Sequence, residues 1–454
     1  MQAKRKNLTE MPIIKAIIML SIPILVTNLL QTMYQITDTF WVGQLGKEAV
    51  AAVGISFPIV FLIIAVGSGI GMAGSILVSQ YKGKHDQEQI DFISTQTTIF
   101  MFFLGIIFTI IGVLFTEPIV LLMGVEASVL PLAISYLFVS FLATMFNFVY
   151  ASAASLLRGV GEVKLPMRIV LITVVLNFLL DPLFIFGFSF NGINLIPASG
   201  VAGAAWATFL TLGLSALIGL YYLFKGNKGI HIRKSSLKPH FPTFKKLAII
   251  GWPSSIEFFS HSIGMLVLTI IAAAYGTIIL ASFTLGLRVF SFVFMPALSV
   301  SIAVSTIVGQ YIGAKKSEFI GKILKQAGTI SFVSLTLVGI LLFIFAEPIV
   351  GVFVPGELEV IASAGELIRV MALTFGFLGI MTVMVGSIRG AGATKKAMGL
   401  SILLLVFQVI IAIVLPPFFG VTGIWLAFPG AIMLTCGVSI YFAKKMNWAK
   451  SRLV

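Results

Sequence analysis

The sequence predicts an all-α integral membrane protein, with twelve transmembrane helices in two pseudo-symmetric six-helix lobes. Three observations carry this. The chain is 59% hydrophobic and only 10% charged, where a soluble domain carries about 25% charge. About twelve apolar stretches reach the ~20 residues that a helix needs to cross a bilayer. Four short motifs recur about 230 residues apart.

The spans fall at 12–40, 48–80, 92–115, 128–157, 165–188 and 201–224, then 245–272, 277–311, 321–346, 360–388, 397–418 and 421–443. Several exceed the minimum, as tilted helices do. The first is too long for the apolar core of a signal peptide and is expected to stay as a membrane helix. The boundaries that follow are 1–224 for the first lobe, 225–243 for a linker and 244–454 for the second lobe. The linker is polar and basic and carries Pro239 and Pro242.

The net charge of +14 raises nucleic acid as a partner, but the distribution of charge argues against it. Basic residues cluster in the N-terminal tail (Lys4, Arg5, Lys6, Lys15), in the 2–3, 4–5, 6–7, 8–9 and 10–11 connections, and in the C-terminal tail (Lys444, Lys445, Lys450, Arg452). In a twelve-helix count these all lie on one side. Of 30 Lys and Arg, only Lys47, Arg288 and Arg369 fall elsewhere. The positive-inside rule therefore puts both termini in the cytoplasm of a plasma (inner) membrane protein. The lipid bilayer is the expected partner, and nucleic acid is not. The single Cys436 excludes an intrachain disulfide framework.

The repeat sets the two lobes in register. Glu117-Pro118-Ile119-Val120 returns as Glu347-Pro348-Ile349-Val350, and Gln80-Tyr81-x-Gly83 as Gln310-Tyr311-x-Gly313. Arg158-Gly159-x-Gly161-x-x-Lys164 returns as Arg389-Gly390-x-Gly392-x-x-Lys395, and Ile22-Pro23 matches Trp252-Pro253. Each half holds an even number of helices, so the halves share one topology, as parallel repeats do.

Against this background three carboxylates stand out, Asp38, Asp181 and Glu257. A charge near the bilayer centre costs roughly 3 kcal/mol on insertion scales, and such residues usually serve a cavity, a partner or an ion. At helical spacing Gln31, Tyr34 (or Gln35) and Asp38 share a face of helix 1. The plainer reading is an interfacial Asp38 solvated beside Trp41. Asn177 and Asp181 are i, i+4 in helix 5, and Pro182 is expected to end that helix. Carboxylates with freed carbonyls make a hard-oxygen site suited to Na⁺ or a proton. In the repeat Asp38 aligns with Leu268, and Asp181 lies near Leu415. Acids confined to one lobe point to a specialised site there.

Glu257 and His261 share a face of helix 7. A buried Glu257–Arg288 pair is the plainer expectation, and a second cation or substrate site the sharper one. The Arg-Gly-x-Gly loops lack the strand-to-helix context of a phosphate loop. There is no ATP-binding motif and no Ser/His/Asp set, so neither ATP hydrolysis nor an enzyme is expected.

Asp38-Thr39-Phe40-Trp41-x-Gly43, Gln80-Tyr81-x-Gly83, Leu157-Arg158-Gly159-x-Gly161 and Leu176-Asn177-x-x-x-Asp181-Pro182-Leu183-Phe184 resemble the multidrug and toxic compound extrusion (MATE) family across nearly the whole chain. The resemblance is to the prokaryotic branch with acids in the N-terminal lobe. It implies a V-shaped, secondary-active exporter of amphipathic, often cationic, small organic compounds that works as a monomer. It implies cation coupling through Asp38, Asn177, Asp181 and Thr208, with Na⁺ as a candidate metal at Asp38, Asn177 and Asp181. Gln31, Tyr34, Gln35 and Asn147 would line the substrate cavity. The coupling ion is H⁺ or Na⁺, with no other cofactor. Glu257, with His261 and Arg288, fits the helix-7 site of another branch, but helix 10 lacks that branch's acid. A lipid-linked precursor flippase is the alternative within the same superfamily.

Overall fold

The computed structural model describes residues 8–191, 193–451 and 453–454. The tail charges Lys4, Arg5, Lys6 and Arg452 lie outside the described residues, as does the Lys234 side chain. The first half holds α1 (Ile13–Gly43), α2 (Lys47–Gly83), α3 (Gln87–Leu122), α4 (Leu130–Gly159), α5 (Lys164–Phe186) and α6 (Val201–Lys225). The second half holds α7 (Phe241–Ala274), α8 (Thr277–Gly313), α9 (Ile320–Ile344), α10 (Ala346–Phe353), α11 (Leu358–Ala372), α12 (Phe375–Gly390), α13 (Thr394–Val414), α14 (Pro416–Phe419), α15 (Val421–Trp425) and α16 (Ala427–Lys445).

Among the described residues, eleven helical segments are long and apolar enough to cross a bilayer, and the pair α11 and α12, bent by 52°, makes the twelfth span. The bend corrects the continuous helix expected over 360–388. The Thr374 hydroxyl donates to the Met371 carbonyl at 3.1 Å, a local bond that competes with the helical ladder. The span expected over 421–443 likewise breaks after Trp425. Helix 5 departs in the other direction. It runs through Pro182 to Phe186, so Asp181 lies inside the helix rather than at its end. Pro182 leaves the Phe178 carbonyl without an amide donor.

The all-α expectation also missed a small antiparallel hairpin, β1 (Phe188–Phe190) and β2 (Ile193–Ile196). The repeat register marks it as an addition to the first half. The offset is 234 at Pro182 and Pro416 but 220 at Gly200 and Gly420. Both glycines take the same positive-φ conformation at a helix start, φ 55° and 58°.

The chain forms two compact units, one of Val26–Lys82 and Asp86–Ser255, the other of the stretch ending at Leu25, Gly83–His85 and Ile256–Val454. This division differs from the 1–224, 225–243 and 244–454 expected from the sequence. The linker belongs wholly to the first unit, and α1 and α7 each divide between the units. The two changeovers lie 230 residues apart, in the register of the repeat.

Each unit has its own core. In the first, Phe141 and Phe148 are buried with Met101 and Leu137; Gly112 leaves room for the Phe141 ring. In the second, Phe283, Phe290, Phe375, Trp425 and Phe428 cluster. The Arg-Gly-x-Gly motif serves as a helix stop in both. A Cβ on Gly159 would meet the Ser75 carbonyl, and one on Gly390 the Ser305 carbonyl. Gly161 and Gly392 then turn the chain at φ 86° and 87°, the left-handed close favoured by glycine.

The linker is strapped to α3. Buried Asp91 accepts from the His231 amide at 2.9 Å and from Gln87 at 2.8 Å, and pairs with Arg233 at 3.1 Å. Gln96, fully buried, donates to the Ser236 and Lys238 carbonyls at 2.8 and 2.9 Å and accepts from the His240 amide at 2.9 Å. Replacing Gln96 with Leu would leave these buried backbone groups unpaired, at about 1–3 kcal/mol each. Trypsin should then cut the linker faster in the Gln96→Leu variant than in the parent; equal cleavage rates would show that the strap does not hold.

Candidate functional site

Within the first unit, four helices bring polar side chains together. α1 supplies Tyr34 and Asp38, one turn apart on the same face. α5 supplies Asn177 and Asp181 with the same spacing, and α6 supplies Thr208 and Thr211. The Thr208 hydroxyl donates to Asp38 Oδ2 at 3.4 Å. Tyr34 and Thr211 share a hydroxyl hydrogen bond of 2.6 Å. Asn177 Nδ2 donates to Asp181 Oδ1 at 3.0 Å. Asp38 stands within electrostatic reach of Asp181. Tyr136 of α4 stands within electrostatic reach of both acids.

The site is buried. Asn177 and Asp181 are fully buried and Asp38 is 9% exposed. Asp38 Oδ1, Asn177 Oδ1 and Asp181 Oδ2 are buried without a hydrogen-bond donor. An unmatched buried polar atom costs about 1–3 kcal/mol, and more when charged. Three such oxygens, on neighbouring side chains of two helices, suit a guest that brings positive charge, a proton or a small hard cation. Among the described residues no group of three or more His, Cys, Asp or Glu is placed to hold a metal, and two carboxylates with an amide match Na⁺ better than a transition metal.

Of the residues expected here from the sequence, Asp38, Asn177, Asp181, Thr208 and Tyr34 converge. Gln31 and Gln35 are exposed and Asn147 is half-buried; none of the three bonds to the acids among the described residues. Tyr136 and Thr211 were not foreseen. Thr211 carries a signal in its spacing, since it follows Thr208 by one turn just as Asp38 follows Tyr34.

The second unit corrects another expectation. Arg288 is exposed and does not pair with Glu257. The partner of Glu257 is Arg389, whose NH2 donates to Glu257 Oε1 at 2.6 Å. The Arg389 side chain is 3% exposed and that of Glu257 16%. Arg389 counts as a loop residue in the sequence, but the last turn of α12 carries it inward. His261 stacks on Phe294 with ring centroids 4.6 Å apart.

A family model described as MatE matches residues 23–183 and 253–414, one match in each half of the repeat. The chain is 28% identical over 441 residues to a probable multidrug resistance protein, YoeA, of Bacillus subtilis, covering 95% of this chain and 93% of the relative. It is 28% identical to the probable multidrug resistance protein NorM of Thermotoga maritima, covering 96% and 93%. Among solved structures, a MATE protein in complex with MaL6 superimposes with a TM-score of 0.90 at 27% identity, covering 99% of both chains. A MOP superfamily transporter from Pyrococcus furiosus gives 0.90 at 26% identity, covering 100% of both. A two-lobe bundle of helical spans that superimposes over its whole length on transporter structures defines a membrane transporter. The chain belongs to the MatE family, the multidrug and toxic compound extrusion transporters.

The new ion pair makes a direct prediction. Removing one partner of a buried pair costs about 3–5 kcal/mol. Glu257→Gln and Arg389→Met should each lower stability by that order, and the double variant by less than their sum. Arg288→Leu, on the surface, should change it by no more than ~0.5 kcal/mol. Unfolding in mild detergent measures all four; strict additivity would mean the pair is not coupled.

Proposed function

We propose that this protein is a secondary-active exporter of amphipathic, often cationic, organic compounds. Inward movement of H⁺ or Na⁺ through the first-unit site drives it. The carrying observation is the trio of buried, donorless oxygens on Asp38, Asn177 and Asp181. Names of relatives such as the multidrug export protein MepA of Staphylococcus aureus, 24% identical over 417 residues, support the substrate class. The protein works as a monomer in the plasma membrane with both termini in the cytoplasm.

A static trio of unmatched oxygens stores unfavourable energy that a cation relieves. Filling the site draws α1 toward α5 and α6, since Asp38 is already held to α6 through Thr208. α1 carries Pro23, which cannot donate to the Met19 carbonyl, so the helix bends there at reduced cost. Rearranging α1 changes the cavity lined by Gln31, Tyr34, Gln35 and Asn147, and the substrate leaves outward. Alternating access by rocking of the two repeats completes the cycle. A lipid-linked precursor flippase needs several cations around a pyrophosphate; of its candidates Arg288 and Arg369, the second is paired with Glu347 at 2.9 Å, which favours the exporter.

Export of ethidium from proteoliposomes under a pH gradient or a Na⁺ gradient tests this. Asp38→Asn and Asp181→Asn should each lower coupled export roughly tenfold or more, the range of a coupling free energy of 1–3 kcal/mol, while folding and insertion persist. Thr208→Ala should have a smaller effect, because its bond is long. Normal export by either well-expressed Asp variant would defeat the proposal. Spin labels on α1 and α7 across an acidic-to-neutral pH series should report change in α1; a response in α7 alone would move the coupling site to Glu257.

A further inference from the structure

We propose that the second unit contains a separate binding site for the carboxylate of a small organic acid, held by Arg389, with Glu257 taking up a proton as the acid binds. This goes beyond the coupling site, which lies in the other unit and shares no residue with it.

The argument starts from Arg389. A guanidinium has five N–H donors and binds carboxylates best through two parallel bonds. Here the protein supplies one bond, from NH2 to Glu257. Arg389 Nε and NH1 are buried without any partner. Arg389, with Glu257 and His261, lines a cavity of about 90 Å³, several times the ~10–15 Å³ needed by one water; Nε and NH1 are themselves buried from it, so the guanidinium turns as a guest carboxylate enters. Phe258, Phe294 and Leu404 form apolar wall, while Thr382, Ser401 and Gln408 add uncharged hydrogen-bonding groups. A flat, partly apolar body ending in a carboxylate fits this chemistry.

Charge dictates the proton. The Glu257–Arg389 pair is neutral, so a carboxylate entering it makes the site negative. If Glu257 accepts a proton from solvent, Arg389 turns its charge to the guest and the site is neutral again. No bond other than the O–H of Glu257 forms, and no electron moves. The cavity is walled by α7, α8, α12 and α13, and His261 is the other titratable side chain among its lining residues; the remainder from α8, α12 and α13, apart from Arg389, are uncharged.

The test is equilibrium binding to the purified full-length protein in nanodiscs, without any gradient, using benzoate as probe with benzamide and benzylammonium as shape controls. Benzoate should bind, more tightly as pH falls, and about tenfold or more better than benzamide, the scale of one charge-assisted contact. Glu257→Gln should bind benzoate at least as well as the parent but lose the pH dependence. Arg389→Met should lose binding. Equal binding of benzoate and benzamide by the parent protein, or none, would overturn the site, and that comparison needs no variant to fold. Retained pH dependence in a folded Glu257→Gln protein would overturn the assignment of the proton to Glu257.

Discussion

Hydrocarbon offers no hydrogen bonds, so each polar group in a membrane span must find its partner within the protein. This constraint governs the whole chain. Backbone groups are satisfied by long helices. Hydroxyls of Thr95, Thr97 and Thr98 turn back to carbonyls one turn earlier at 2.7–2.9 Å. Against so thorough a pairing, the few unmatched atoms stand out. Those on charged side chains belong to Asp38 and Asp181 in the first unit and to Arg389 in the second, with Asn177 Oδ1 beside the two acids.

The duplicated architecture thus supports different chemistry in each half. The first half keeps two acids where the second has Leu268 and a residue near Leu415. The second half keeps Glu257, whose repeat mate is Thr27. The arginines of the Arg-Gly-x-Gly motif show the same divergence. Arg158 donates to Ser155 of its own helix at 2.7 Å, whereas Arg389 reaches across to α7. A shared backbone stop has therefore been fitted with an acid partner in one copy only.

Much of this was legible in the sequence because hydrophobic length and repetition are strong signals. The spans and the repeat follow from length and register, and the shared face of Asn177 and Asp181 from helical spacing; their meeting with Asp38 is what the family resemblance implies. What escaped depends on depth and on breaks. Arg389 sits at a helix end that the charge pattern assigns to a loop. Tyr136 lies in an apolar stretch that gives no hint of which neighbour its hydroxyl meets. Pro182 reads as a terminator, but the helix continues because hydrocarbon leaves the backbone no better option. The bend at Thr374 and the hairpin after Phe186 are local events within otherwise apolar or ambiguous sequence.

Pro23 and Pro253 lie just before the two points where α1 and α7 change unit. Each proline deletes one rung of the helical ladder, so each helix is most compliant next to its changeover. Each of the two helices is therefore weakened at the same point of the repeat by the same duplication. A proline replaced in only one copy would leave that helix stiffer than its repeat mate.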